Sequence, residues 1–154
     1  MIRLFLATTD EDYATAGLLF KEYAKAININ LDFQHFDEEI KGLKQMYSKP
    51  HGGIILTMEH EEIIGCVALR KLQEDIGELK RMYIRPGHQN KGIGKQLLEQ
   101  SLNLARQCNY AAVRLDTLNH MESAIHLYKK AGFYEIPPYY NNPLSTALYF
   151  EKKL

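Results

Sequence analysis

The sequence predicts an α/β fold, termed α+β in some schemes, with a mixed central sheet of about seven strands flanked by about four helices. Short apolar runs typical of strands alternate with segments whose apolar residues recur at helical spacing. A polar turn joins two early strands into an antiparallel hairpin, whereas a later pair is connected through a helix and must be parallel. The predicted element order is therefore β-α-α-β-β-β-α-β-α-β-β.

The first half of the chain is predicted to hold one strand, two helices and the hairpin. Thr9 followed by Asp12 indicates the start of the first helix, with acidic residues in its first turn. A second helix is expected from apolar residues on one side: Ile40, Leu43, Met46 and Tyr47. The strands in this half are expected at 2–7, 54–58 and 63–69.

The second half alternates strands and helices. Asn119, with Glu122 three residues later, predicts a capping box for a helix that ends at Gly132. The predicted elements are a strand at 79–84, a helix from about 91 to 106, a strand at 111–116, the capped helix, and strands at 133–136 and 147–152.

Composition favours a single domain over residues 1–154. There are 19 basic and 19 acidic side chains, so nothing indicates binding to nucleic acid or to an anionic membrane. No apolar run is long enough to cross a bilayer, and the apolar N-terminal segment is too short for a signal peptide. The two cysteines, Cys66 and Cys108, form neither a disulfide framework nor a metal-ligand spacing. We therefore expect a cytoplasmic protein that uses no metal.

The segment 89–95 lies between a predicted strand and a predicted helix, and its glycines allow a ligand to approach the backbone. The first amides of a helix lack intrahelical acceptors, so such a turn suits a phosphate or pyrophosphate. A Walker loop, and with it the alternative of a nucleotide-phosphate enzyme, is disfavoured because Gln96 stands where a Ser or Thr would hold magnesium. A dinucleotide fingerprint is disfavoured because Leu97 stands where a third small residue is needed.

The remaining pattern, Gln89-x-x-Gly92-x-Gly94 after a strand, resembles the acyl-CoA-binding loop of the GNAT superfamily of N-acyltransferases. That family also has an Asn followed by Ala-x-x-Leu-Tyr-x-x-x-Gly-Phe, which is similar to Asn119-x-x-x-Ala124-Ile-x-Leu-Tyr128-x-x-x-Gly132-Phe133. The predicted element order is that of the GNAT fold, so the resemblance covers nearly the whole chain.

The resemblance implies acetyl-CoA as co-substrate, with its pantetheine arm in a gap between the central parallel strands. The backbone of Met82 and Ile84 would pair with the arm, and the Met82 amide would polarise the thioester carbonyl. Tyr128 would protonate the departing thiolate. Asn119 is expected to cap its helix and to contact the arm. The pyrophosphate would be held by the loop residues: Gln89, Asn90, Lys91, Gly92, Ile93, Gly94 and Lys95.

Amine acylation also needs a proton acceptor, because an alkylammonium group with a pKa of about 10 is protonated at neutral pH. Glu78, beside the expected thioester, is the candidate base, directly or through a water, with Glu74 or Asp75 as rival routes. An ion pair with Lys80 would make Glu78 a weaker base. Strand alternation predicts one shared face for four residues: Glu78, Lys80, Met82 and Ile84.

The acceptor is expected opposite the cofactor, between segments 31–36 and 137–142. Their aromatic residues, Phe33, Phe36 and Tyr139, suit a small amine or a peptide N-terminus equally. The predicted function is transfer of an acetyl group from acetyl-CoA to a primary amine by direct attack in a ternary complex. The alternative is a catalytically idle acyl-CoA-binding, sensing or interaction module. A homodimer is expected by analogy with the family.

Overall fold

The computed structural model describes residues 1–31 and 34–154. Its strands are β1 (Ile2–Leu6), β2 (Gly53–Glu59), β3 (Glu62–Gln73), β4 (Ile76–Ile84), β5 (Ala112–Leu118), β6 (Tyr134–Ile136) and β7 (Ala147–Lys153). Its helices are α1 (Asp10–Ala26), α2 (Phe36–Lys41), α3 (Leu43–Met46), α4 (Ile93–Gln107) and α5 (Glu122–Lys130). The strands form one sheet in the order β1-β2-β3-β4-β5-β7-β6. The sheet is mixed because β4 and β5 are parallel and the other neighbours are antiparallel, which confirms the predicted fold class.

Helix α1 begins where the sequence predicts. The Thr9 side chain accepts a hydrogen bond from the Asp12 amide at 3.0 Å, and the Asp12 carboxylate accepts one from the Thr9 amide at 3.2 Å. This reciprocal capping satisfies two amides that have no partner within the helix. The helix then buries its apolar side against the sheet, with Leu19 and Phe20 fully buried.

The predicted second helix is instead two short helices, α2 and α3. Gly42 lies between them with φ −120° and ψ 32°, outside the helical region, and its amide donates to the carbonyl oxygens of Glu38 and Glu39. Glycine is a poor residue for a helix interior because it loses more backbone freedom than other residues. The break still buries Leu43 against α1, where its Cδ1 lies 3.3 Å from the Cβ position of Gly17.

The helices cover the two faces of the sheet and produce two cores. Side chains alternate along β3, so Cys66 and Ala68 pack with α1 and α3 on one face. Val67 and Leu69 pack with α4 on the opposite face. The central strands are therefore buried on both faces.

β4 and β5 separate after a short parallel pairing. Their register covers three residue pairs, Ile76↔Ala112, Gly77↔Val113 and Glu78↔Arg114, although β4 continues to Ile84 and β5 to Leu118. Beyond these pairs, β5 pairs along its other edge with β7. A wedge-shaped gap therefore opens between the C-terminal ends of the two central strands.

β4 also carries a β-bulge. Its register with β3 places Arg81 and Met82 opposite Val67, between two regular pairs, Ala68↔Lys80 and Cys66↔Tyr83. Arg81 has a φ of +59°, a conformation that costs energy for a residue with a side chain. The buried Cys66 thiol donates to the Arg81 carbonyl oxygen at 3.3 Å, so this thiol supports the bulge.

The bulge makes the prediction of one shared face on this strand wrong. The extra residue reverses the alternation, so Met82 and Ile84 pack on the α4 face together with Leu79. Glu78 and Lys80 flank Leu79 and therefore point to the opposite face. The side chains of Met82 and Ile84, which were predicted to share their face, point to the other face of the sheet.

Candidate active site

A cleft occupies the gap between the diverging ends of β4 and β5. Its walls include Tyr23 from α1, Leu79 from β4, Leu115 from β5 and Tyr128 from α5. The two strands have no ladder pairing with each other here, whereas buried backbone N–H and C=O groups need partners. An extended ligand can supply such partners as an added strand does.

Tyr128 lies at the α5 wall of this cleft with 7% of its surface exposed. Its ring packs against Phe133 and Phe150, with centroid separations of 5.8 and 6.5 Å. Burial raises the pKa of the Tyr128 phenol, so the group is neutral and carries a proton. No residue within 1–31 and 34–154 hydrogen-bonds to its hydroxyl, which is therefore available to a ligand in the cleft.

The loop between β4 and α4 leaves the first turn of α4 without a side-chain cap. Gly92 is the N-cap residue with φ +78°, and no atom lies within 4 Å of a Cβ built on it. Ile93 is 1% exposed and anchors the loop in the core. The Gln89 side-chain amide donates to the Ile84 carbonyl oxygen at 3.0 Å. An accessible, uncapped helix N-terminus is a site that suits a phosphate group.

The charges of this loop are partly compensated. Lys91 Nζ lies 3.6 Å from Glu59 Oε1, and His88 Nδ1 lies 3.0 Å from the same oxygen. Lys95 is exposed on the first turn of α4, along a groove between α4 and α5. An anion at the loop would therefore meet Lys95 more readily than Lys91, whose charge faces a carboxylate.

Comparison with known proteins gives the family. A family model described as "Acetyltransferase (GNAT) family" matches residues 19–133. The chain belongs to the GNAT family of acetyltransferases. An uncharacterized N-acetyltransferase of Schizosaccharomyces pombe is 31% identical over 146 residues, which cover 94% of this chain and 90% of that protein.

Solved structures show the same fold. An acetyltransferase from Streptococcus agalactiae 2603 has a TM-score of 0.81 and 19% identity, over 99% of this chain and 98% of the other. A GNAT family acetyltransferase from Elizabethkingia anophelis, solved with acetyl-CoA bound, has a TM-score of 0.67 and 20% identity, over 99% and 98%. The family match and the related N-acetyltransferase identify the chain as an acetyltransferase and do not favour the idle binding module.

The GNAT site includes no candidate metal centre among the residues that the structure describes. No group of three or more His, Cys, Asp or Glu side chains in these residues could hold an ion. In the same residues, no helix is both long enough and apolar enough to span a membrane.

Glu78 lies where β4 and β5 separate and is 1% exposed. Its ion-pair partner is Arg70 on β3, with Nε to Oε1 at 2.9 Å, and the Tyr139 hydroxyl donates to Oε2 at 2.7 Å. Lys80 was the expected partner, but it forms no ion pair with Glu78 in the described structure. Burial alone would raise the pKa of Glu78, but the charges of Lys80 and Arg70 and its hydrogen bonds outweigh burial and lower it. Glu78 is therefore an ionised, fully engaged and weak base.

The sequence alone does not indicate Arg70 as the partner of Glu78. The hairpin register pairs Arg70 with Glu78 across β3 and β4, and opposite charges at facing positions attract each other. The polar turn at 74–75 pairs Gln73 with Ile76, and counting back from it would place Lys71 opposite Glu78. A register shift between Lys71 and Gln73 places Arg70 there instead.

A second polar network at the cleft was not predicted. The Tyr140 hydroxyl donates to Asp116 Oδ2 at 2.7 Å and accepts hydrogen bonds at 3.0 Å from the side-chain amides of Gln34 and Asn142. Gln34 Oε1 in turn accepts a hydrogen bond from Lys80 Nζ at 3.2 Å. These residues lie far apart in the chain, and no local motif indicates their meeting.

Arg81, the bulge residue, is neutralised by Glu39 from α2. The two side chains form a bidentate pair at 2.8 and 3.0 Å, and both are almost fully buried. The Tyr47 hydroxyl also donates to Glu39. This pair ties α2 to the bulge beside the cleft.

Asn119 does not cap α5, so that prediction is wrong. The N-cap residue is Met121, and no side chain caps the helix. Asn119 is exposed, and its backbone amide donates to the Thr146 carbonyl oxygen at 2.8 Å. The hydrogen bond holds the turn after β5 against the segment before β7, which delays the start of the helix.

The predicted acceptor residues have different surroundings. Phe33 lies outside the described residues. The Phe36 ring stacks against the Arg81 guanidinium at 5.3 Å and faces a depression that shares Ile29 and Leu31 with the cleft. Tyr139 is bound to Glu78 and packs against Tyr140 and Tyr149. None of these observations tests their contact with an acceptor.

Proposed function

We propose that this chain transfers an acetyl group from acetyl-CoA to a primary amine of a small molecule or peptide by direct attack in a ternary complex. The observation that carries the proposal is the cleft between the separated ends of β4 and β5, with Tyr128 in its wall. In the reaction, the amine nitrogen forms a bond to the acetyl carbon and the carbon–sulfur bond breaks. One proton leaves the amine, and the thiolate takes one proton.

Acetyl-CoA is proposed to enter the gap as an added strand. The backbone of Met82 and Ile84 would hold the pantetheine arm, and Met82 lines the cleft. The amides of the loop 89–95 would hold the pyrophosphate at the uncapped start of α4. The exposed Asn119, two residues before the cleft residue Met121, is proposed to contact the arm.

The Met82 amide is proposed to polarise the thioester carbonyl. Met82 follows Arg81 in the bulge, where the regular register with β3 is interrupted. A fixed backbone amide that faces developing negative charge is a large contribution to acyl transfer.

Tyr128 and Glu78 are proposed as acid and base. Tyr128 is protonated and faces the cleft, which suits donation to the departing thiolate. Both carboxylate oxygens of Glu78 are engaged by Arg70 and Tyr139. We therefore propose that Glu78 acts through a water that it orders rather than by direct contact with the amine.

Residues 1–154 are proposed to act as one cytoplasmic domain that forms a homodimer. Size-exclusion chromatography with light scattering measures the oligomeric state. A molar mass near twice that of the chain supports the dimer, and a monomer at all concentrations contradicts it.

Release of the CoA thiol tests the proposed activity. The protein is incubated with acetyl-CoA and a panel of amines, amino acids, aminoglycosides and peptides, and the thiol is detected with a chromogenic disulfide. Calorimetry measures acetyl-CoA binding in parallel. Acetyl-CoA binding with amine-dependent thiol release supports the proposal. Binding without release for every amine class favours the idle module.

A further inference from the structure

Lys80 is a buried cation in the cleft. It is 7% exposed, lines the cleft, and its Nζ donates to the Gln34 side-chain oxygen at 3.2 Å. No described carboxylate lies within ion-pair distance of Nζ. A buried charge needs hydrogen bonds and a counter-charge to offset its loss of hydration. Among the described residues, the Lys80 ammonium group, which has three donors, hydrogen-bonds to one neutral partner.

The neighbouring cations already have direct partners. Arg81 is held by Glu39 in a bidentate pair, and Arg70 is held by Glu78. The charges of both arginines are therefore paired with carboxylates of the same chain. Lys80 differs from them because its charge faces the cleft without such a contact to any residue that the structure describes. Burial lowers the pKa of Lys80, and the nearby charges of Glu78 and Asp116 oppose that effect.

Lys80 points to the side of the sheet that carries α1 and Gln34. The expected cofactor loop lies on the opposite side, at the start of α4. Lys80 therefore lies on the side of the sheet where we expect the acceptor, away from the phosphate groups of the cofactor.

Asp116 supplies an opposite charge in the same cleft. Its carboxylate is half-buried and accepts a hydrogen bond from the Tyr140 hydroxyl at 2.7 Å. Within the described residues, no hydrogen bond reaches the second carboxylate oxygen, which can accept from a ligand. The rest of this wall is largely apolar, with Ile29, Leu118 and Leu144. Arg81 also lines the cleft, but Glu39 holds its charge, so among the described lining residues Lys80 and Asp116 offer charges to a ligand. A largely apolar cleft with such a cation and anion complements a small molecule that carries both charges.

We propose that the acceptor amine also carries a carboxylate, as an amino acid does, and that Lys80 binds this carboxylate while Asp116 faces the amino group. This inference rests on the acetyl-transfer function proposed above. Lys80 is a binding residue here, because it holds a part of the acceptor that does not react.

Matched acceptors test the inference. Each amino acid of a panel is compared with its α-amide, which has nearly the same size but lacks the negative charge. The amide has the more acidic ammonium group and loses its proton more easily, so easier deprotonation cannot explain a preference for the acid. We expect kcat/KM to be at least about tenfold higher for the preferred amino acid than for its amide, the effect of a hydrogen bond to a charged group.

A matched pair of variants assigns the preference to Lys80. Lys80→Met should remove the preference by raising KM for the amino acid, with little change in kcat/KM for the amide. Lys71→Met changes a partly exposed lysine on β3 that pairs with Glu74, and it should leave the preference unchanged. An equal loss of kcat for acid and amide would instead assign Lys80 a role in the chemical step and overturn the inference.

A binding measurement separates this inference from the proposed function. Amino acids are titrated by calorimetry into protein saturated with CoA, which requires no reaction. Binding that Lys80→Met abolishes supports the inference even if no acetyl transfer is seen. Equal turnover of acids and amides leaves the acetyl-transfer function in force and overturns the inference. Absence of binding for every amino acid also contradicts it, and circular dichroism of Lys80→Met confirms that the variant is folded.

Discussion

Glu78 is ionised in a buried position because two charged side chains and a phenol surround it. Arg70 and Tyr139 occupy its two oxygens, and the charge of Lys80 adds to their effect. A carboxylate stabilised in this way has a low affinity for protons. A base needs a high proton affinity, so these contacts weaken Glu78 as a base. The residue that the sequence indicates as the base is therefore also a structural link between β3, β4 and the loop after β6.

Glu78→Gln should lower the free energy of unfolding by about 2 kcal/mol at pH 7, because Arg70 loses a charged partner. The folded pKa of Glu78 lies below its unfolded value of about 4.3. Its contribution is therefore complete above that value and is lost as the pH falls through the folded pKa. Urea unfolding of both proteins between pH 7 and pH 3 measures the difference, which should shrink on acidification. A difference that grows towards pH 3 contradicts the assignment.

Tyr128→Phe should lower kcat by about 100-fold, the lower range for general acid catalysis, because a thiolate is already a good leaving group. The KM for acetyl-CoA should change little, since the ring still packs against Phe133 and Phe150. Tyr134→Phe removes a hydroxyl from an exposed tyrosine on β6 and serves as the control. Steady-state thiol release measures both variants. Full activity of Tyr128→Phe with its preferred amine would falsify the acid role.

At the scale of elements, the bulge in β4 decides what each side chain of that strand faces. Its strained residue, Arg81, is held by Glu39 on one side and by the Cys66 thiol on its carbonyl oxygen. Backbone strain persists where surrounding contacts outweigh it. The bulge is therefore maintained from two neighbouring elements, α2 and β3.

Glu39→Gln should destabilise the protein by about 3–5 kcal/mol, because it leaves the buried Arg81 guanidinium without a counter-charge. The adjacent Glu38 is 82% exposed and pairs weakly with His35, so Glu38→Gln should change stability by less than about 0.5 kcal/mol. Urea unfolding at pH 7 compares the two. Equal stability losses would show that Arg81 does not depend on Glu39.

Gly92→Ala separates backbone strain from ligand contact in the loop before α4. Gly92 and Gly87 both have positive φ, at +78° and +90°, and neither Cβ position has an atom within 4 Å. Alanine at either position should cost about 1 kcal/mol of stability. Acetyl-CoA affinity should fall at least about tenfold for Gly92→Ala, whose methyl group covers the amides, and little for Gly87→Ala. Calorimetry measures both, and equal affinity losses argue against the pyrophosphate assignment.

At the scale of the whole molecule, the cleft exists because β4 and β5 diverge while each stays paired along its other edge. One core lies under α1 and α3, and the other lies under α4 and α5. β4 stays paired with β3 up to Ile84 and β5 with β7 up to Leu118, so each strand keeps a sheet neighbour where the two separate. A ligand in the gap therefore contacts both β4 and β5 and joins the two halves of the sheet.

Acetyl-CoA at a concentration 100 times its Kd should stabilise the folded protein by about 2.7 kcal/mol. For a chain of this size, that corresponds to a rise in melting temperature of about 5–10 °C. A thermal scan with acetyl-CoA measures the rise, and magnesium-ATP at equal concentration is the control. An equal or larger rise with magnesium-ATP would revive the nucleotide-phosphate alternative.

The sequence by itself determined the fold class, the order of most elements, the start of α1 and the family. These features depend on periodicity, on spacing and on residues close together in the chain, such as Thr9 with Asp12 or Gln89 with Gly94. Periodicity missed the break at Gly42, because the apolar spacing continues across it. The capping prediction for Asn119 failed because a contact with Thr146 holds that residue outside the helix.

Only the tertiary structure decided which residues meet at the cleft. The bulge at Arg81, the pairing of Glu78 with Arg70, and the meeting of Lys80 with Gln34 depend on strand register and on contacts between distant segments. One extra residue in a strand reverses every side chain beyond it, and no local pattern records that insertion. The sequence therefore indicated the family and its reaction, and the packing of strands and helices decided which side chains face the cleft.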